Sequence, residues 1–143
     1  MNLRPIVSIR LSPLFATELI KSSKLKARES DPHFELNAKG DTKIGNHFGS
    51  NHISLDIKGL PDDILKVTPG ADGRVAVFGR DSKSPVVVGE NSGCALLGLG
   101  KINETPLDRS DSHTLTSDKA TIKIHTKEGT SLSFELLVRR AAG

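Results

Sequence analysis

Two histidines, His47 and His52, lie in the polar stretch Gly45-Asn46-His47-Phe48-Gly49-Ser50-Asn51-His52 of this 143-residue chain. With His33 and Asp56 nearby they form the set whose types suit a transition metal, because imidazole and carboxylate are its usual ligands. Their spacing matches no standard site, so His47 and His52 stand only as candidate ligands, and no cofactor is expected. A second stretch, Gly93-Cys94-Ala95-Leu96-Leu97-Gly98-Leu99-Gly100-Lys101, has the look of a phosphate-binding loop. It fails in detail: Ala95 stands where the motif needs glycine, and Ile102 where it needs the Mg²⁺-binding hydroxyl. The stretch reads instead as a buried strand in which glycine allows close packing. Cys94, inside that apolar run, is expected to be an inert small hydrophobe rather than a nucleophile. Asn103-Glu104-Thr105 fits the glycosylation acceptor pattern but has no signal peptide to route it. Asp62 and Asp63 are adjacent, and neighbours in an extended segment point to opposite faces, so they make no acid/base pair. No catalytic residue emerges, and the chain is expected not to be an enzyme.

Composition narrows the ligand classes. There is no Trp or Tyr, one Cys and only five Phe, with 36% hydrophobic and 26% charged residues. Such a chain lacks the aromatic platforms that bind sugars or bases. No apolar run approaches the ~20 residues that span a bilayer, and Met1-Asn2-Leu3-Arg4-Pro5 lacks the order of a secretory signal. Net charge is +3 and the pI about 9.1. The asymmetry is sharper: residues 1–30 carry Arg4, Arg10, Lys21, Lys24, Lys26 and Arg28 against Glu18 and Glu29, a local net of +4. These six cations are expected to bind a protein partner with an acidic surface. Nucleic acid is not expected, since no reading motif accompanies the charge.

The elements that must position these residues are strands. Pro5 to Leu11 alternates, with Val7, Ile9 and Leu11 on one face. Ser12-Pro13 has the form of a helix start, predicting a short helical turn over Leu14, Phe15, Glu18 and Leu19. Lys24 to Glu29 fits an edge strand guarded by basic side chains. His33 to Leu36, His52 to Ile57, Ile64 to Thr68 and Arg74 to Phe78 read as strands. The turn Pro69-Gly70-Ala71-Asp72-Gly73 joins the last two as a hairpin. Val86 to Val88, Gly93 to Leu99, Thr114 to Thr116, Ala120 to His125 and Ser131 to Arg139 follow. Asn37–Asn51 and Ile102–Ser112 read as polar loops. The pattern is all-β, an antiparallel sandwich of eight to ten strands, Ig-like or jelly-roll-like, with at most one short helix. Residues 1–30 are expected to form an N-terminal strand and arm, and 31–143 the sandwich.

Asp62-Asp63-Ile64-Leu65-Lys66-Val67-Thr68-Pro69-Gly70-Ala71-Asp72-Gly73-Arg74-Val75-Ala76-Val77 resembles a hairpin of bacterial and phage immunoglobulin-like domains. Ala120-Thr121-Ile122-Lys123-Ile124, with Glu128-Gly129 and Leu132-Ser133-Phe134, is similar to their last hairpin. The resemblance implies a structural virion protein, a phage capsid decoration or tail accessory protein that oligomerises and clamps capsid or tail subunits. The alternative is a cytoplasmic ligand- or metal-binding domain using His47 and His52. Gly79-Arg80, followed by Ser82 and Ser84, resembles a forkhead-associated domain, a phosphopeptide-binding family. The downstream Ser-x-x-His and Asn elements of that family are missing, and phosphopeptide binding is therefore set aside at this point.

Overall fold

A computed structural model describes residues 3–13, 33–47, 49, 51–55, 59–80, 86–92, 101–125 and 131–142. Among the described residues there are eleven strands: β1 Ile6–Pro13, β2 Phe34–Leu36, β3 Thr42–Gly45, β4 Ile53–Ser54, β5 Leu65–Pro69, β6 Val75–Gly79, β7 Val86–Ser92, β8 Lys101–Leu107, β9 Ser112–Thr114, β10 Lys119–His125 and β11 Ser131–Arg140. They form two sheets, ordered β2-β1-β11-β10-β7-β8 and β4-β3-β5-β6-β9. The all-β sandwich read from the sequence is the architecture found, and the described residues contain no helix.

Period-two burial builds the core. Leu132, Phe134, Leu136 and Val138 of β11 face inward with Ala120, Ile122 and Ile124 of β10 and Ile9 and Leu11 of β1. Ile44, Leu65, Val67, Val75 and Val77 face them from the second sheet. A fully buried side chain of this size contributes roughly 1.5–3 kcal/mol, and the core is mostly aliphatic, with Phe134 buried among the branched side chains. The Thr68–Val75 hairpin forms as expected, with Val67 opposite Val77 and Pro69 opposite Val75.

Several local expectations are corrected. Val7 does not share a face with Ile9 and Leu11: a bulge between Ile6 and Ser8 in the pairing with β11 leaves Val7 62% exposed. An extra residue on one strand shifts the alternation by one position. Ser12-Pro13 does not begin a helix, because both residues extend β1 opposite Glu135 and Phe134. Pro13 lies past the last residue paired with β2, where a missing N–H costs no ladder bond. The Asn37–Asn51 loop contains β3, whose Thr42 and Ile44 point inward. Part of the sandwich is parallel, since β3 and β4 run in the same direction. Ile102–Ser112 holds β8, which accommodates Pro106 because it is a sheet edge. The helical turn at 14–19, the strand at 24–29 and the run at 93–99 lie outside the described residues.

Candidate functional site

The topology brings three connections to one end of the second sheet. β3 ends there at Gly45, β5 begins there at Leu65 and β6 ends there at Gly79, because neighbouring strands in this trio are antiparallel. Gly45 permits the close approach of the β4–β5 connection. A Cβ at that position would sit 2.2 Å from the Asp62 carbonyl oxygen and 2.7 Å from the Asn51 amide. Gly79 does the same for the turn after β8, since a Cβ there would meet the Asp108 carbonyl oxygen at 2.3 Å.

With the backbones this close, one carbonyl becomes a hub. The Asp62 oxygen accepts hydrogen bonds from the backbone N–H groups of Asn46 (2.9 Å) and His47 (3.0 Å). It also accepts one from Asn51 Nδ2 at 2.8 Å. The same amide nitrogen donates to the His47 carbonyl at 2.7 Å and faces Asp63 Oδ1 at 3.4 Å. Arg80 closes the arrangement: Nη1 donates to Asn51 Oδ1 at 2.7 Å and Nη2 pairs with Asp63 Oδ1 at 3.1 Å. Its own N–H donates to the Ile64 carbonyl at 3.0 Å. The Arg80 side chain is 19% exposed and that of Asp63 41%. One guanidinium and one amide thus brace all three connections. The turn Asp108–Asp111 abuts them, through the Gly79 N–H to the Asp111 carbonyl at 2.9 Å.

A second polar cluster joins the two sheets. Glu90 of β7, only 6% exposed, accepts from His113 Nε2 of β9. It also accepts from the Thr116 N–H at 3.0 Å and Oγ1 at 3.1 Å. The Ser117 N–H at 3.0 Å and Oγ at 2.8 Å complete the set. Burial alone would raise this carboxyl, but the bonds from His113, Ser117 and Thr116 outweigh it and hold Glu90 below its ordinary value. Nearby, Arg140 donates to Asp118 Oδ1 at 2.9 Å and to the carbonyls of Arg4 and Gly73 at 2.9 and 2.8 Å.

The sequence-derived candidates fare unevenly. His47 sits at the loop end, but His52 turns its Nδ1 to accept the Lys43 N–H at 2.9 Å, on the far side of β3. His33 faces Glu35 at 3.3 Å. Among the described residues no group of three His, Cys, Asp or Glu is placed to hold a metal ion. Arg10 pairs with Glu35 at 2.9 Å, and Arg4 belongs to the Arg140 cluster through its carbonyl. Lys21, Lys24, Lys26 and Arg28 lie outside the described residues, as do Asp56, Cys94 and the glycines at 93–100. Asp62 and Asp63 do diverge, Asp62 into solvent and Asp63 toward Arg80. Sequence reasoning missed Asn51, Asp63 as a partner of Arg80, and the Glu90–His113 pair. Glu90 did carry a signal: it occupies the inward phase of Val86, Val88 and Glu90, where an unpaired charge is too costly to survive.

Comparison with known proteins now bears on the fold. The sequence matches no protein-family model and no curated protein. Solved structures do match. An engineered FHA described with a Myc-pTBD peptide superimposes with a TM-score of 0.63 at 13% identity, over 94% of this chain and 93% of that one. The FHA domain of an Arabidopsis thaliana hypothetical protein gives 0.57 at 18% identity, over 98% and 91%. The FHA domain of the CT664 protein from Chlamydia trachomatis gives 0.55 at 16%, over 94% and 99%. The chain therefore has the forkhead-associated fold.

This overturns the resemblance to phage immunoglobulin-like domains and, with it, the virion reading of a capsid decoration or tail accessory protein. The hairpin that carried it follows from turn chemistry shared by many sandwiches. The strand order decides: an immunoglobulin sheet runs A-B-E-D and C-F-G, whereas here the first long strand pairs with the last. The fold set aside on motif grounds is the one present, and Gly79-Arg80, followed by Ser82 and Ser84, is the stretch of sequence that resembles it. No helix among the described residues is long and apolar enough to cross a membrane.

Proposed function

We propose that this chain is a non-catalytic interaction module. Its loop end binds a partner protein and takes a phosphorylated segment as ligand, with Arg80 as the cation that meets the phosphate. The carrying observation is the state of Arg80. Its guanidinium is oriented by Asn51 and anchored through its backbone, yet its ion partner is a carboxylate that is 41% exposed. A pair of this kind contributes about 0–1 kcal/mol. A phosphate offers the same planar fork more charge and bidentate geometry, and can therefore take the carboxylate's place. A chain of the same fold, the engineered FHA, is described with a peptide. The brace of Asn51 and Gly45 supports this use, because loops already locked together lose little entropy when a ligand settles on them.

The test is fluorescence anisotropy with phosphothreonine and phosphoserine peptide pools against their unphosphorylated counterparts. Binding of the phosphorylated pools, lost in Arg80→Gln while the melting temperature holds, is the expected result. Equal affinity for both pools would overturn the reading.

A further inference from the structure

We infer, resting on the function proposed above, that Asp63 is a built-in competitor for the ligand's phosphate and sets what the site accepts. Asp63 Oδ1 lies 3.1 Å from Arg80 Nη2 and 3.4 Å from Asn51 Nδ2. Its carboxylate thus occupies the donors that an incoming anion needs. The backbone on either side of it is locked. The Asp62 carbonyl is held by Asn46, His47 and Asn51. Ile64 donates to Ile44 at 3.1 Å and accepts from Arg80 at 3.0 Å. Release of the guanidinium therefore proceeds by rotation of the Asp63 side chain, with no loop rearrangement.

Selectivity follows from charge. A phosphate near −2 exceeds the carboxylate it displaces in charge and in acceptor oxygens, so the exchange is favourable. A glutamate or aspartate offered by a peptide replaces one carboxylate with another and gains nothing. Asp63 thereby lowers affinity for every anion by the cost of breaking its own pair, and carboxylates, which bind the site more weakly than phosphate, fall below useful affinity first.

The experiment compares wild type with Asp63→Asn, which keeps an oxygen acceptor for Arg80 and Asn51 while removing the charge. Asp63→Ser serves as a second variant, and thermal melts check folding. Phosphothreonine peptide is expected to bind Asp63→Asn about three- to tenfold tighter than wild type, the range an exposed ion pair and one like charge command. The same peptide with glutamate in place of phosphothreonine should bind measurably only to the variants. If wild type binds phosphopeptide and both variants bind no tighter, the competitor role is overturned and the proposed function stands. If all three proteins fold and none binds any phosphopeptide, both fall together.

Discussion

Replacing Glu90 tests whether the two sheets are held together as described. The carboxylate has five donors around it, three from side chains and two from backbone. In Glu90→Ala all five lose their acceptor. Hydrogen bonds to a charged group are each worth about 1.5–3 kcal/mol, but they share one carboxylate and do not add. Thr116 and Ser117 are exposed, so water can take over part of their bonding. The net loss should then be about 3 kcal/mol, the lower edge of what breaking a buried pair costs. For a domain of this size that lowers the melting temperature by about 10 °C. The chain has no Trp or Tyr, so the assay is far-UV circular dichroism or calorimetry rather than fluorescence. The pH dependence adds a second constraint. The folded Glu90 carboxyl lies below its ordinary value of 4.5. Its contribution is therefore complete above that value and is lost as pH falls through the lower, folded one. The gap between wild type and Glu90→Gln should close in strong acid, as the folded carboxyl takes up its proton. A change under 2 °C for Glu90→Ala, or a Glu90→Gln gap unchanged at acid pH, would refute the reasoning.

Other substitutions probe the remaining arguments. Gly45→Ala places a methyl 2.2 Å from a carbonyl oxygen held by neighbouring strands, so it should cost at least about 2 kcal/mol in urea unfolding, in line with the 1–3 kcal/mol typical of overpacking. Val7→Ser should be neutral, within about 0.5 kcal/mol, because the bulge exposes this residue, whereas Ile9→Ala should cost roughly 2–5 kcal/mol at its buried position. Deleting residues 1–12 removes Ile9 and Leu11 from between β2 and β11, so circular dichroism should show lost structure rather than a folded domain missing an arm. Lys123→Ala should leave stability almost unchanged, since its pair with Glu104 is exposed on both sides.

Legibility from sequence followed the strength of period-two burial. Ser131–Arg139 was readable because Leu132, Phe134, Leu136 and Val138 alternate without interruption, and the Pro69–Gly73 turn because its glycines and proline leave few alternatives. β3 was hidden because Thr42 and Ile44 supply only one large apolar side chain, and β8 because its edge position tolerates Pro106 and needs little apolar surface. The phase of β1 at Val7 is not legible in the sequence, because the bulge between Ile6 and Ser8 leaves no mark on composition. The candidate site was the least legible part. Asn51, Asp63 and Arg80 lie 12 and 17 residues apart in turn, and only the pairing of β3, β5 and β6 brings them together. Asp62-Asp63 and Gly79-Arg80 are each conspicuous singly, but nothing in the sequence connects them.

The two polar clusters divide the labour of the sandwich. Glu90 and Arg140 both hold the β9–β10 connection, Glu90 through Thr116 and Ser117, Arg140 through Asp118. Arg140 also gathers the carbonyls of Arg4 and Gly73 from the chain's start and the β5–β6 turn. That end is therefore stabilised without the loop end contributing. Arg80, Asn51 and Asp63 brace the other end with partly exposed groups, of which the Arg80–Asp63 ion pair, its carboxylate 41% exposed, is the weak member. Substitutions there should alter ligand binding at small cost to folding, while substitutions at Glu90 should do the reverse. A double-mutant cycle between Glu90→Gln and Asp63→Asn checks this division. The clusters share no residue, so their effects on unfolding free energy should add within about 0.5 kcal/mol. A coupling well above that would mean that the loop end and the inter-sheet staple form one network.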